Sequence, residues 1–222
     1  MTRGFRRVRG EVRIRLADGE RRVLHDLFTE VHDLLEDPAA PSDDDPLAEL
    51  VGIGTAVRPP DDPALARLLP DAHKDDPQAS AEFRRYTESG LRARKRQGLE
   101  LALRTLDRGT LLRLNDAEAG AWLIALTDVR LVLAERIGLR TDDDHAVLEQ
   151  VVAQLAEAEP PARSGGSGSA EDDDEDDEGF AAGERLAMTL ALYDFLAWLQ
   201  ETLVEAMAAT LPDRGIDDPR SR

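Results

Sequence analysis

The stretch from Asn115 to Ile137 constrains the fold more than any other part of the chain. Trp122, Leu123, Leu126, Val129, Val132, Leu133 and Ile137 recur at three- and four-residue spacing, which puts them on one face of an α-helix. Asn115 stands where an N-cap belongs, and Glu118 three residues later completes a capping box. Gly138 supplies the stop. Such a helix draws most of its stability from packing its apolar stripe against other elements, so the chain must supply partners. The same periodicity predicts helices over about 18–36 (Leu24, Leu27, Phe28, Val31, Leu34, Leu35), 78–106, 142–157 and 183–210.

Only two stretches alternate instead. Val12, Ile14 and Leu16 face one way and Arg13 and Arg15 the other, as in a half-buried strand, and Leu111 to Leu114 reads as a second strand. The fold class is therefore mainly α: a helical bundle-like core with a small two-stranded β element near 11–16 and 110–114. Shorter pieces fill in around it. Pro38 to Pro46 reads as an acidic loop and Leu47 to Ile53 as a short helix. Pro63 opens another short helix, which ends at Leu69 and is closed by Pro70. Gly90 and Gly98 lie inside the 78–106 helix, each costing about 1 kcal/mol relative to Ala, and mark places for a bend or break. Residues 1–158 thus form a strand–helix and helical core. Residues 159–179 combine a Gly/Ser stretch with an acidic run and read as a disordered insert. Residues 180–211 form a closing helix, and 212–222 a flexible tail.

One pattern occurs twice. Arg15-Leu16-Ala17-Asp18-Gly19-Glu20 matches Arg113-Leu114-Asn115-Asp116-Ala117-Glu118, each joining a strand to an amphipathic helix. Later apolar positions stay in phase: Leu24 with Trp122, Phe28 with Leu126, Val31 with Val129. Either strand-to-helix junctions simply call for this capping chemistry, or the two strands pair and the two helices pack side by side, as in a winged-helix-like unit.

The chain of 222 residues carries a net charge of −18, and the acids Glu171 to Glu178 account for only eight of it. Against that background two basic clusters stand out. Arg84, Arg85, Arg92, Arg94, Lys95 and Arg96 lie on the 78–106 helix, interleaved with Glu82, Glu88 and Glu100. Arg6, Arg7 and Arg9, with Arg3, form a basic N-terminal arm. Each reads either as a solvated face or terminus, or as a contact surface for a partner or DNA. The overall charge makes DNA the weaker of those two. The closing helix is apolar nearly all round. Tyr193, Phe195, Trp198, Leu199 and Leu203 are therefore candidates for a central core helix or a homodimer interface.

Several classes are excluded or disfavoured. Cysteine is absent, so thiol nucleophiles, thiolate metal sites and direct cysteine redox sensing are excluded. Four histidines remain; His25 and His32 are seven apart, wider than helical metal ligands usually stand. No nucleophile elbow, zincin motif or glycine-rich phosphate loop occurs. The expectation is a non-enzyme with no cofactor and no metal. With no apolar run long enough for a membrane span and no secretory leader, it is expected in the cytoplasm, away from membranes.

The order of four blocks resembles the AosR family of actinobacterial proteins. These are RIRLADGERRVLHDL, the stretch from Asp62 to Lys95 around RLLPD, LRLNDAEAGAWLIALTDVRLVLAERIGL, and LALYDFLAWLQETLVEAM. The resemblance implies an oxidative-stress regulator of transcription, linked to cysteine-biosynthesis genes and to sigma-factor-containing RNA polymerase as protein partner. It also implies redox response through a cysteine pair, which this chain lacks. An adaptor or scaffold with no DNA contact is the alternative.

Overall fold

The computed structural model describes residues 3–36, 58–73, 75–157 and 172–209. In chain order the elements are β1 (Arg6–Val8), β2 (Glu11–Arg15), α1 (Asp18–Leu34), α2 (Pro63–Leu68), α3 (Pro77–Leu106), β3 (Leu111–Leu114), α4 (Asp116–Arg136), α5 (Asp142–Glu157) and α6 (Asp172–Ala208). The protein is mainly α, as its periodicity requires, with a small antiparallel sheet in the order β1-β2-β3. The expected loop at Pro38–Pro46 and helix at Leu47–Ile53, residues 159–171 of the expected insert and the tail lie outside the described residues.

The sheet has three strands, not two. The missed strand, β1, is only Arg-Arg-Val and has no apolar alternation to betray it. What makes it a strand is the turn behind it. Arg9 (φ 53°) and Gly10 (φ 87°) both take left-handed conformations, the requirement of a two-residue hairpin turn whose twist matches the sheet. Arg6 therefore pairs with Arg13 and Val8 with Glu11. The arm read as a solvated terminus or a contact surface contains an edge strand, with Arg9 in the turn that follows it.

The repeated strand–helix pattern is structural. β2 and β3 pair, and Ile14 lies opposite Leu112. The offset that carries Arg15 onto Arg113 also carries Ile14 onto Leu112, so this pair sits on a local pseudo-twofold. Leu16 N–H donates to Thr110 O at 2.9 Å, continuing the pairing. Both helices open alike: the Glu20 carboxylate accepts from Ala17 N–H (2.7 Å), and that of Glu118 from Asn115 N–H (2.9 Å). Their in-phase residues, Leu24, Phe28, Val31, Trp122, Leu126 and Val129, all enter one core. At its centre Trp122 meets Phe28 and Phe5 edge-on, with ring centroids 5.3 and 5.6 Å away.

α3 runs unbroken through Gly90 and Gly98. A Cβ at either would meet nothing within 4 Å, so these glycines serve no close approach. α6 begins at Asp172, well before the expected 183, and its backbone passes through most of the acidic run. Its C-terminal half is a core helix: Leu196, Leu199 and Leu203 are fully buried, while Tyr193, Phe195 and Trp198 are half-buried. Arg130 of α4 fastens it, donating to Gln200 Oε1 (2.8 Å) and Tyr193 Oη (2.9 Å).

Candidate functional site: the arginine clusters of α3 and the sheet

The cations of α3 separate into inner and outer sets. Arg84 and Arg92 are buried, with Glu88 between them. Arg84 Nη1 donates to Glu88 Oε2 at 2.6 Å, and Arg92 Nε to Glu88 Oε1 at 2.9 Å. The outer ends of the two guanidiniums tie down different segments. Arg84 bonds Asp71 (2.6 Å) and the Leu69 carbonyl (3.3 Å), clamping the RLLPD turn. Arg92 reaches the Leu35 and Glu36 carbonyls at 3.4 Å, where the orphan acceptors at the end of α1 need donors. Burial by itself would lower the pKa of Arg84, but the bonds from Glu88 and Asp71 outweigh it and hold the charge more firmly.

Lys95 is also committed, donating to the buried Asp128 at 2.6 Å. Burial pushes the Asp128 carboxyl up despite that bond, and its Oδ2 has no partner. Arg96 Nε donates to His32 Nε2 at 3.3 Å. Arg85 sits 5.9 Å from the Tyr86 ring centroid, and Arg94 has no partner among the described residues. Of the six expected contact residues on α3, only Arg85 and Arg94 keep exposed, unpaired charges, beside exposed Phe83 and Tyr86. Arg7 is likewise paired, to Asp116 at 2.7 Å, while Arg6 and Arg9 are exposed.

A second basic surface emerges from the sheet. With Val12, Ile14, Leu112 and Leu114 turned inward, the outer face carries Arg6, Val8, Glu11, Arg13, Arg15, Leu111 and Arg113. Arg13 opposes Arg6 on one side and Arg113 on the other, so three arginines line up across the strands. Glu11 reaches only Arg13, at 2.8 Å; no carboxylate pairs with Arg6, Arg15 or Arg113 among the described residues. A cleft of about 650 Å³ adjoins this face, with Arg3, Arg6, Val8, Arg13, Arg15, Leu111 and the carboxylate-bearing Glu20 among its lining residues. Sequence reasoning missed Arg13, Arg15 and Arg113 as a site. Their alternation was visible, but the register that unites them was not.

Among the described residues, one group could offer three ligand atoms to a cation: His145, Glu149 and Asp194, whose ligand atoms lie within 4.8 Å of one another. All three are solvent-accessible, and His145 Nε2 lies 2.8 Å from Asp194 Oδ1, an arrangement that already serves to hold α5 on α6. His25 faces Asp26 and Asp107, whereas His32 faces Asp33, Glu100 and Arg96, so the two do not converge. No helix among the described residues is long and apolar enough to cross a membrane.

A family model described as "Domain of unknown function (DUF2017)" matches residues 2–207. The chain belongs to the DUF2017 family. The family match runs from before β1 almost to the end of α6, so it takes in both the sheet face and the closing helix. This DUF2017 chain is 35% identical, over an alignment of 133 residues, to proteins named oxidative stress regulator AosR from Mycobacterium tuberculosis (strain ATCC 25618 / H37Rv) and Mycobacterium bovis. That match covers 53% of this chain and 61% of each relative's length. A putative oxidative stress regulator AosR from Mycobacterium leprae (strain TN) is 31% identical over 193 residues, 80% of this chain and 73% of the relative. The resemblance carried by the four sequence blocks is thus matched by named relatives. No solved structure matches the chain.

Proposed function

We propose that this DUF2017 protein is a non-enzymatic regulator of an oxidative-stress response, acting on transcription through protein contact. Its target, by resemblance, is the transcription machinery at stress or cysteine-biosynthesis genes, for example sigma-factor-containing RNA polymerase. The regulatory part rests on relatives named oxidative stress regulators. Contact through protein rather than DNA rests above all on the fate of the α3 cations. Arg84, Arg92 and Lys95 are held in ion pairs with the protein's own Glu88, Asp71 and Asp128, which competes with any contact to phosphate. The net charge of −18 opposes a polyanion at long range. With no cysteine, oxidation reaches the chain through its expression level or its partner, not through a thiol of its own.

The test is co-purification of the tagged chain with RNA polymerase from cells, with and without nuclease. Association that survives nuclease, together with altered transcript levels after peroxide when the gene is deleted, is expected. Association abolished by nuclease, or unchanged transcripts, would overturn the reading.

A further inference from the structure

The arginine row across the sheet is an unfavourable arrangement that the protein keeps. Like charges directly opposite on neighbouring strands destabilise a sheet. Arg6, Arg13 and Arg113 are aligned in that way, with Arg15 adjacent. Acids are plentiful, 46 in the chain, yet among the described residues the row shows one carboxylate ion pair, Arg13 with Glu11, while Glu20 lines the adjoining cleft. The remaining positive charge points outward from a molecule that is otherwise acidic. Val8 and Leu111 lie on the same face at opposite corners of the row, 38% and 40% exposed.

The spacing points to an occupant. Neighbouring strands lie about 4.8 Å apart, so the three guanidinium stems step across the sheet at that interval. A helix repeats every turn at about 5.4 Å, which places carboxylates at i, i+4 and i+7 at nearly the same step. Single-stranded nucleic acid would use aromatic platforms for its bases, and the outer face has none. The exposed valine and leucine suit a partner with apolar residues beside its acids.

We infer that the outer face of β1, β2 and β3 is the docking surface for an acidic amphipathic helix of another protein. The helix lies across the strands, its carboxylates on Arg6, Arg13 and Arg113, with apolar residues on one side of them against Val8 and on the other against Leu111. This inference names the surface for the protein contact proposed above and depends on that reading only for the partner's place in transcription.

The probe is a fluorescent 18-residue peptide, helical by design, with Glu at i, i+4, i+7 and i+11 and Leu beside them. Its anisotropy is titrated against the full chain and compared with a scrambled peptide of equal charge and with duplex DNA. The expected result is tighter binding of the ordered peptide than of either control, weakened at least tenfold by Arg113→Glu and Arg13→Gln and little changed by Arg94→Gln. Arg113→Glu places a carboxylate opposite Arg13, so its melting temperature is expected to rise while binding falls; a variant that fails to fold would instead lose its melting transition along with binding. Equal binding of the scrambled peptide, preferred binding of DNA, indifference to Arg113→Glu, or failure of all probes to bind would each overturn the inference. So would self-association of the chain that Arg113→Glu dissolves, which would make a second copy the occupant. If nuclease-resistant association with RNA polymerase persists in Arg113→Glu, the regulator reading stands and this surface is wrong.

Discussion

Trp122 illustrates how a single side chain joins the two halves of the core. Its ring is fully buried between Phe5 and Phe28, and its indole N–H must find an acceptor there. Thr105 Oγ1 supplies it at 2.7 Å. Thr105→Val keeps the volume but strands that donor, so a loss of about 1–3 kcal/mol is expected by urea denaturation. Glu88 is under greater demand, since it separates two buried guanidiniums. Glu88→Gln leaves them facing each other across a neutral group, and a loss of about 3–5 kcal/mol is expected. Lys95→Met leaves Asp128 without its counter-ion, a comparable loss of about 3–5 kcal/mol at neutral pH. The sign of its pH dependence follows from burial, which already raises the Asp128 carboxyl above its ordinary value. A carboxyl with a raised folded pKa destabilises the fold above that pKa and ceases to do so as it takes up a proton. The deficit of Lys95→Met relative to the wild type is therefore largest near pH 7.5 and shrinks as the pH falls through the folded value of Asp128. At this scale the sequence displayed Glu88 four residues from both Arg84 and Arg92, but not that this stripe faces inward. Long-range partners such as Asp71, Leu35 and Asp128 decide that, and local spacing carries no trace of them.

The elements were legible where periodicity is strong and long. α4 begins beside Asn115 and ends beside Ile137, and α5 covers 142–157, both as the apolar pattern and caps dictate. β1 was not legible, because three residues held by a turn and by contacts distant in sequence leave no pattern. One such contact is with α6: Phe5 N–H donates to Thr202 Oγ1 at 3.1 Å, and Gly4 lies against the same threonine. A Cβ at Gly4 would overlap Thr202 Cγ2, so one of them must move. Gly4→Ala is expected to lower the melting temperature and to raise amide exchange in β1, whereas Gly98→Ala, which meets nothing, should stabilise α3 by about 0.5–1 kcal/mol. Unchanged exchange in β1 would mean that the strand does not depend on its seat on α6.

For the molecule as a whole, charge is the organising quantity. The net negative charge opposes polyanions, Arg84, Arg92 and Lys95 of α3 are taken up in ion pairs, and the outer sheet face aligns Arg6, Arg13 and Arg113. The composition revealed the imbalance and the resemblance revealed the family. The location of the remaining basic surface needed the strand register, which places Arg113 beside residues a hundred positions earlier in the chain. The proposed contact with another protein runs through that face. The most direct measurement is association of the full chain with purified RNA polymerase holoenzyme, followed by size-exclusion chromatography after nuclease treatment, for the wild type and Arg113→Glu. Co-elution of the wild type and loss of co-elution in a folded Arg113→Glu variant is the expected result. Failure of the wild type to co-elute, or co-elution that disappears with the nucleic acid, would contradict it.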